Sequence, residues 1–350
     1  MDALALPAVP APDVEARRAA VARHGSLAVP AGGLGRLAEL GCWLAAAQGA
    51  CPPRPPARAR VVAVAADHGI AEAGVSAYPP GTTARQVAVA REQALPVSVL
   101  APVAAASVRV VDVALDTEPG EGRYRVRRGS GRIDRVDALT ALETTTALTI
   151  GRTLVDEEVD AGADLLIPAA LGIGATTPAS TLVAAVTGTE PVAVVGRGSG
   201  IDDTAWMRKA AAIRDALRRT RPHRDDPLAL LRAAGGADLA ALTGFLVQAA
   251  LRRTPVLFDG LVVGAAALLA ERLAPGAREW WLVTQRSPEP AMALVLDRLR
   301  LRPVLDLQLR LDDGTGALAV LPLLQMAARL LAETATMADS GIVPVGGGRG

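Results

Sequence analysis

The run ADLLIPAALGIGATTPASTLVAAV, residues 163–186, constrains the fold more than any other part of this chain. Its first eight residues are short, continuous and apolar, which reads as a buried strand. Glycines follow. Thr176-Thr177-Pro178 then marks a helix start, with a hydroxyl at the N-cap and proline in the first turn, where its missing N–H costs nothing. Glycines in that position let backbone N–H groups converge on an anion at the positive end of the helix. GRGSGID, residues 196–202, repeats the design one apolar segment later. Two such loops so close together point to a pocket for a phosphorylated small molecule. Taken alone, GIGATTP reads equally well as a tight strand-to-helix connection, and Lys209 either supplies positive charge to the loops or is a solvated lysine. Neither loop continues into GK[ST] or fits GxGxxG, which disfavours nucleoside triphosphate hydrolysis.

The strand-then-helix pattern recurs. RVVAVAA (60–66), VRVVDVAL (108–115), TPVLFD (254–259), EWWLVTQ (279–285) and RPVLDL (302–307) read as further strands. Helices are predicted over 82–99, from a capping box of Thr140 with Glu143, and over 203–219, 237–251, 261–273 and 289–300. This alternation gives an α/β fold, a mainly parallel, Rossmann-like sheet flanked by helices. Ligands of such sheets sit beyond the carboxyl ends of the strands. The loops there carry Asp67-His68, both glycine loops, Asp259-Gly260, Ser287 with Glu289, and Asp312-Asp313. Residues 13–24, 34–48 and 316–338 read as helices without strands nearby. The expected division is a small helical subdomain from 1–50 with 316–342, an α/β domain over 51–315, and a disordered tail at 343–350.

Composition narrows the partners. Of 350 residues, 51% are hydrophobic and 21% charged, with a formal net charge of +1. That balance gives no electrostatic reason to expect nucleic acid or a membrane surface, and 2% aromatics argues against base-stacking platforms. Cys42 and Cys51 with His24, His68 and His223 show no zinc spacing, so no metal is expected. The first residues lack the basic-then-apolar order of a secretory signal. Residues 316–332 contain Gln325 and Arg329 and are expected to fall short of a spanning helix, so the protein reads as cytoplasmic. ADHGIAEAGVSAYPPGTTARQV (66–87) is either a structural loop or part of a site. RLDDGTGA (310–317) is either a pair of acids favoured near a helix start or a general base for a bound heterocycle. No His–Asp pair is apparent, which disfavours a hydrolase.

Together these segments, with PAGGLGRLAEL (30–40), VVGRGSGIDD (194–203), GGADLAALTG (235–244), RTPVLFDG (253–260), RSPEP (286–290) and RLDDGTGALAVLPLL (310–324), place the chain close to a known family. From about residue 20 to 342 it resembles nicotinate-nucleotide–dimethylbenzimidazole phosphoribosyltransferases, which make the lower-ligand nucleotide of cobalamin. The resemblance implies a cofactor-free homodimer. Its substrates would be nicotinate mononucleotide and a benzimidazole-type base, and its products nicotinate and α-ribazole 5′-phosphate. It also implies that Gly172, Gly174, Thr176, Thr177, Gly198, Ser199 and Gly200 contact phosphate and ribose, with Lys209 neutralising the phosphate. Ser76, Tyr78, Gln86, Asp259, Ser287 and Leu311 would border the base. The family's catalytic glutamate, in GEGTGA, aligns with Asp313.

Four departures fall within these segments. Asp313 is one methylene shorter than glutamate. Ala170 stands where the family has an acid two residues before GIG. Ala175 replaces an asparagine, and Gln285 and Met292 replace two histidines. These changes fit an enzyme retuned for another acceptor, an ordinary enzyme with tolerated substitutions, or a weak or inactive paralogue that binds nucleotide or base.

Overall fold

The structure, a computed structural model, describes residues 6–118 and 122–342. The tail expected at 343–350 lies outside the described residues. In chain order the elements are α1 (Val14–Ser26), α2 (Gly35–Gln48), β1 (Ala59–Ala66), α3 (Thr82–Arg91), α4 (Pro96–Val103), β2 (Ala106–Ala114), α5 (Ala141–Asp160) and β3 (Leu165–Leu171). There follow α6 (Thr176–Thr187), α7 (Pro191–Val194), α8 (Asp203–Thr220), α9 (Pro227–Ala234), α10 (Ala237–Leu251), β4 (Val256–Phe258), α11 (Leu261–Leu273), β5 (Trp281–Val283), α12 (Pro290–Leu299), α13 (Thr315–Glu333) and α14 (Met337–Ser340).

Among the described residues the chain divides into two compact units, one of residues 6–10 with 58–118 and 122–320 and one of 11–57 with 321–342. The larger holds a five-stranded sheet in the order β2-β1-β3-β4-β5, parallel throughout. β1 and β3 are its centre. β3 is buried along its whole length, which explains why it reads as an uninterrupted apolar run. The connection from β1 runs outward to β2, and the next returns past β1 to β3. With right-handed crossovers, the helices of these two connections lie on opposite faces. The strand order therefore reverses between β1 and β3, and the crevice at that reversal is where such folds bind ligands.

Pro168 shapes this crevice. On the β4 side of β3, Leu166 donates to Pro255 O at 3.0 Å, Pro168 has no N–H to give, and Ala170 donates to Asp312 O at 2.8 Å. The sole pairing of β3 with β4 is Leu166 with Val256. Beyond it the strands part. The segment before α13 fills the gap and carries Asp312 and Asp313 to the carboxyl edge of the sheet.

In the smaller unit, Ala20, Ala45 and Leu331 form the interior. Asp13 caps α1 through Ala16 N–H at 2.8 Å, and Arg23 reaches the last carbonyls of α13, including Ala332 O at 2.9 Å.

Several expected boundaries are corrected. Residues 82–99 are not one helix. Gln93 adopts φ of 60°, and Pro96 forces Leu95 into an extended conformation before α4 begins. Residues 302–307 do not form a sixth strand, because their only pairing is an isolated bridge of Leu305 with Gln285. The last helix stops at Glu333, and Thr336 caps the separate turn α14. Contrary to expectation, Thr315–Glu333 is long and apolar enough to cross a membrane by length and composition. More than half of its apolar window is buried inside the fold, as in the core helix of a globular protein.

Candidate active site

A cavity of about 400 Å³ opens at the carboxyl edge of β3. It falls within the usual range for small-molecule pockets. The first glycine loop contributes Gly172, Gly174 and Thr176 to its wall, and the second contributes Gly198, Ser199 and Gly200. Ser76, Tyr78 and Gln86 come from the segment after β1, Ser287 and Glu289 from the one after β5, and Leu311, Asp312 and Asp313 from the one before α13. The expected residues thus meet in one place, with three exceptions. Thr177, Lys209 and Asp259 are fully buried and lie behind the wall.

Lys209 and Asp259 each have a local reason. α6 begins at Thr176, but its N-cap is Ala175 and makes no side-chain capping bond, so the expected hydroxyl cap is absent. Thr176 Oγ1 instead accepts from Lys209 Nζ at 2.8 Å, and Lys209 also donates to Gly196 O at 3.2 Å. A hydroxyl oxygen that accepts from an ammonium keeps its own proton to donate. Burial lowers the Lys209 pKa, against the opposing pull of Glu289 and Asp312. The amides of Gly174, Thr176 and Ser199 have no protein acceptor among the described residues. Unpaired amides on both glycine loops lining the cavity suit an anion near the start of α6.

The acids are held by helix starts. Asp312 Oδ1 accepts from Val262 N at 3.1 Å, at the beginning of α11. Asp259, which precedes α11, accepts from Gly316 N at 2.7 Å, at the beginning of α13. The two segments therefore exchange carboxylate caps. Gly260 makes this possible, since a Cβ there would lie 1.9 Å from Asp312 Oδ1. Asp313 Oδ1 turns back to Thr315 N at 3.0 Å. Glu289 stands at the N-cap of α12, yet its Oε1 accepts from Gly198 N at 2.8 Å and so ties the second glycine loop to the β5 segment. Burial, strengthened by the charges of Asp313 and Asp312, drives the Asp259 carboxyl well above the usual range. Burial also raises Asp312 to about 6, with Glu289 and Asp313 adding to the effect and the Val262 hydrogen bond opposing it.

The departures have structural counterparts. Gln285 grips the backbone of Leu309, donating to its carbonyl at 3.2 Å and accepting from its N–H at 3.3 Å. It thereby holds the strand-like segment that delivers Asp312. Met292 is fully buried against Gly264.

Other features escaped the sequence reading. Arg310, Leu95, Pro96 and Val262 also line the wall, and Arg310 has no ion pair among the described residues. Contrary to expectation there is a His–Asp pair, His68 Nε2 with Asp238 Oδ2 at 3.0 Å, separated by 170 residues in sequence and fully buried. Burial pushes the imidazole pKa down, but the Asp238 charge and hydrogen bond, with Asp67's charge, leave it above the ordinary value. The pair is not on the cavity wall. It lies behind the first glycine loop, where a Cβ on Gly172 would come 3.6 Å from His68 Cδ2.

A second buried relay reaches the same loop. Ile173 N donates to Thr83 Oγ1 at 3.0 Å, and Thr83 Oγ1 donates to Asp67 Oδ1 at 2.5 Å. Thr83→Val should cost about 2 kcal/mol, because it leaves a buried amide and a carboxylate oxygen unpaired. Chemical denaturation checks this; a loss below about 0.5 kcal/mol would show that the relay does not hold the loop.

The fold and the cavity are those of an α/β protein with a small-molecule site at the carboxyl edge of its sheet. A phosphoribosyltransferase family profile matches residues 9–342, and the chain belongs to this family. It is 57% identical over 334 residues to the nicotinate-nucleotide–dimethylbenzimidazole phosphoribosyltransferase of Mycobacterium avium strain 104, covering 95% of this chain and 96% of that one. It is 55% identical over 337 residues to the protein of the same name from Mycobacterium tuberculosis H37Rv, covering 95% and 93%. The crystal structure of CobT from Thermus thermophilus is similar at a TM-score of 0.90 and 37% identity, covering 94% of this chain and 99% of that one.

Proposed function

We propose that this protein transfers phosphoribose from nicotinate mononucleotide to 5,6-dimethylbenzimidazole or a closely related base, releasing nicotinate and forming α-ribazole 5′-phosphate. The observation that carries the reading is the convergence of two glycine loops and a two-aspartate turn on one cavity. Phosphate at the start of α6 meets the Gly174, Thr176 and Ser199 amides and the Thr176 hydroxyl, with the buried Lys209 charge behind them. Ser76, Tyr78, Gln86 and Leu311 border the base.

The chemistry suits this wall. The pyridinium nitrogen of the donor leaves as neutral nicotinate nitrogen, so the leaving group needs no acid. The acceptor's unprotonated ring nitrogen attacks the opposite face of C1′, which inverts β to α. Its partner nitrogen must lose a proton, and a carboxylate of the 312–313 turn on the cavity wall receives it in this reading. Relatives at 57% and 55% identity carry a transferase name, which favours catalysis over the binding-protein alternative. The homodimer implied by the family resemblance and the cytoplasmic location read from the sequence belong to the same proposal.

Mixing the purified protein with nicotinate mononucleotide and dimethylbenzimidazole should yield nicotinate and α-ribazole phosphate in equal amounts, read by mass spectrometry. Folded protein that binds nicotinate mononucleotide yet gives neither product would overturn the proposal.

A further inference from the structure

Two sequence segments have no part in the cavity wall. Asp67-His68-Gly69 follows β1, and Gly235-Gly236-Ala237-Asp238 opens α10. The fold brings them together behind the first glycine loop, where His68 Nε2 and Asp238 Oδ2 lie 3.0 Å apart with both side chains buried.

The imidazole is oriented as well as paired. Nε2 is bonded to Cδ2 and Cε1, so aiming it at Asp238 turns those two carbons sideways. Each meets a glycine. A Cβ on Gly172 would stand 3.6 Å from Cδ2, and one on Gly236 would stand 2.8 Å from Cε1. Position 236 has no room for a side chain, because Asp238 Oδ1 and Ser130 Oγ would lie 2.7 and 3.0 Å from the same Cβ. The backbone of His68 is held separately. Gly69 N donates to Ser130 O at 3.0 Å and Ser130 N to Asp67 O at 2.9 Å, which brackets His68 on both sides. Asp238 stands in the first turn of the buried helix α10, where the helix dipole favours a carboxylate. The ring thus joins α10 to the first glycine loop.

That loop needs support. Gly172 has no Cβ to restrict its backbone, and the Gly174 amide suits an anion only while the chain before it is fixed. Thr83 holds Ile173 N–H, and the imidazole edge packs on Gly172 together with Ala66 O, which would lie 2.6 Å from a Cβ there.

We propose that His68 and Asp238 are a positioning pair for the phosphate site, holding the first glycine loop in the conformation that presents its amides to the donor's phosphate. The inference rests on the transfer reaction proposed above. Neither residue lines the cavity, so the pair acts on donor binding through Gly172 and leaves the acceptor's surroundings unchanged.

Removing both partners avoids stranding a buried charge. His68→Leu combined with Asp238→Leu should raise the KM for nicotinate mononucleotide about tenfold or more and leave that for dimethylbenzimidazole within about threefold. A role in stability alone would not separate the two substrates. His68→Gln carries an amide N–H as many bonds from Cβ as Nε2, and its donor KM should stay within about threefold of wild type. The wild-type protein supplies a test that needs no variant. Inorganic phosphate at saturation should shift the ring resonances of His68 and leave in place those of His24 and His223, neither of which lines the cavity.

A donor KM within about twofold of wild type in the double variant overturns the proposal, as do equal rises in both KM values. If the double variant does not fold, the phosphate titration decides, and unmoved His68 signals overturn it. Wild-type protein that releases no nicotinate overturns the transfer reading itself, whereas normal wild-type turnover with an unchanged donor KM in the double variant overturns only this assignment.

Discussion

Replacing Lys209 with methionine should raise the KM for nicotinate mononucleotide about tenfold to a hundredfold. Lys209 does not line the cavity, so the loss is not that of a direct phosphate contact. Its ammonium lies beneath Gly198 and donates to Thr176 Oγ1 and Gly196 O. Thr176 is on the wall, and the ammonium commits its oxygen to accepting, which leaves its proton free to donate. Methionine fills similar space but removes both the orientation and a fully buried cation near Glu289 and Asp312. Hydrogen bonds to charged groups are worth about 1.5–3 kcal/mol, which sets the range of the effect.

The same substitution has a pH signature. Burial lowers the Lys209 pKa below 10.5 in the native protein, so between the folded and unfolded values the unfolded chain binds more protons. Wild-type stability from this group therefore rises with pH across that window below 10.5, and the methionine variant lacks that rise. Steady-state kinetics and urea unfolding at several pH values measure both effects. An unchanged KM would remove Lys209 from phosphate handling.

The sequence made the sheet legible where its strands are buried on both faces. β1 and β3 are long apolar runs with glycine or polar residues at their ends, and no other local conformation buries them as well. The glycine loops were equally legible, because local spacing alone specifies a loop and a helix start. Residues 302–307 misled because an apolar run of that length carries no record of its neighbours. Here the segment does not pair beyond Leu305, and Gln308 turns the chain with φ of 55°. Contacts across long separations were invisible for the same reason. His68 with Asp238, Thr83 with Ile173, and the exchanged caps of Asp259 and Asp312 are set by strand order, which no short motif contains. Lys209 shows the limit most clearly. Motif position brought it to the right loop, but only the packing reveals that it acts from behind Thr176.

Gly151→Ala should destabilise the protein by about 3 kcal/mol and lower its Tm by roughly 4 °C. An alanine in a helix ordinarily gains about 1 kcal/mol over glycine, so the expected sign is reversed. The reason is the contact of α5 with α10. A Cβ on Gly151 would stand 1.8 Å from Ala241 O, and one on Gly244 would stand 2.0 Å from Leu148 O. The two helices meet backbone to backbone through these paired glycines. Carbonyl groups cannot swing aside as a flexible side chain would, so one helix must move. α10 is buried along Ala237–Ala250 and packs on β1 and β3, which leaves it no room to retreat. Gly25, in the helical α1, supplies the contrast, because a Cβ there meets nothing within 4 Å. Gly25→Ala should stabilise by about 0.5 kcal/mol, through reduced freedom of the unfolded chain. Paired denaturant titrations test the argument in one experiment. If Gly151→Ala also stabilised, the close approach of α5 and α10 would not be what fixes glycine at these positions.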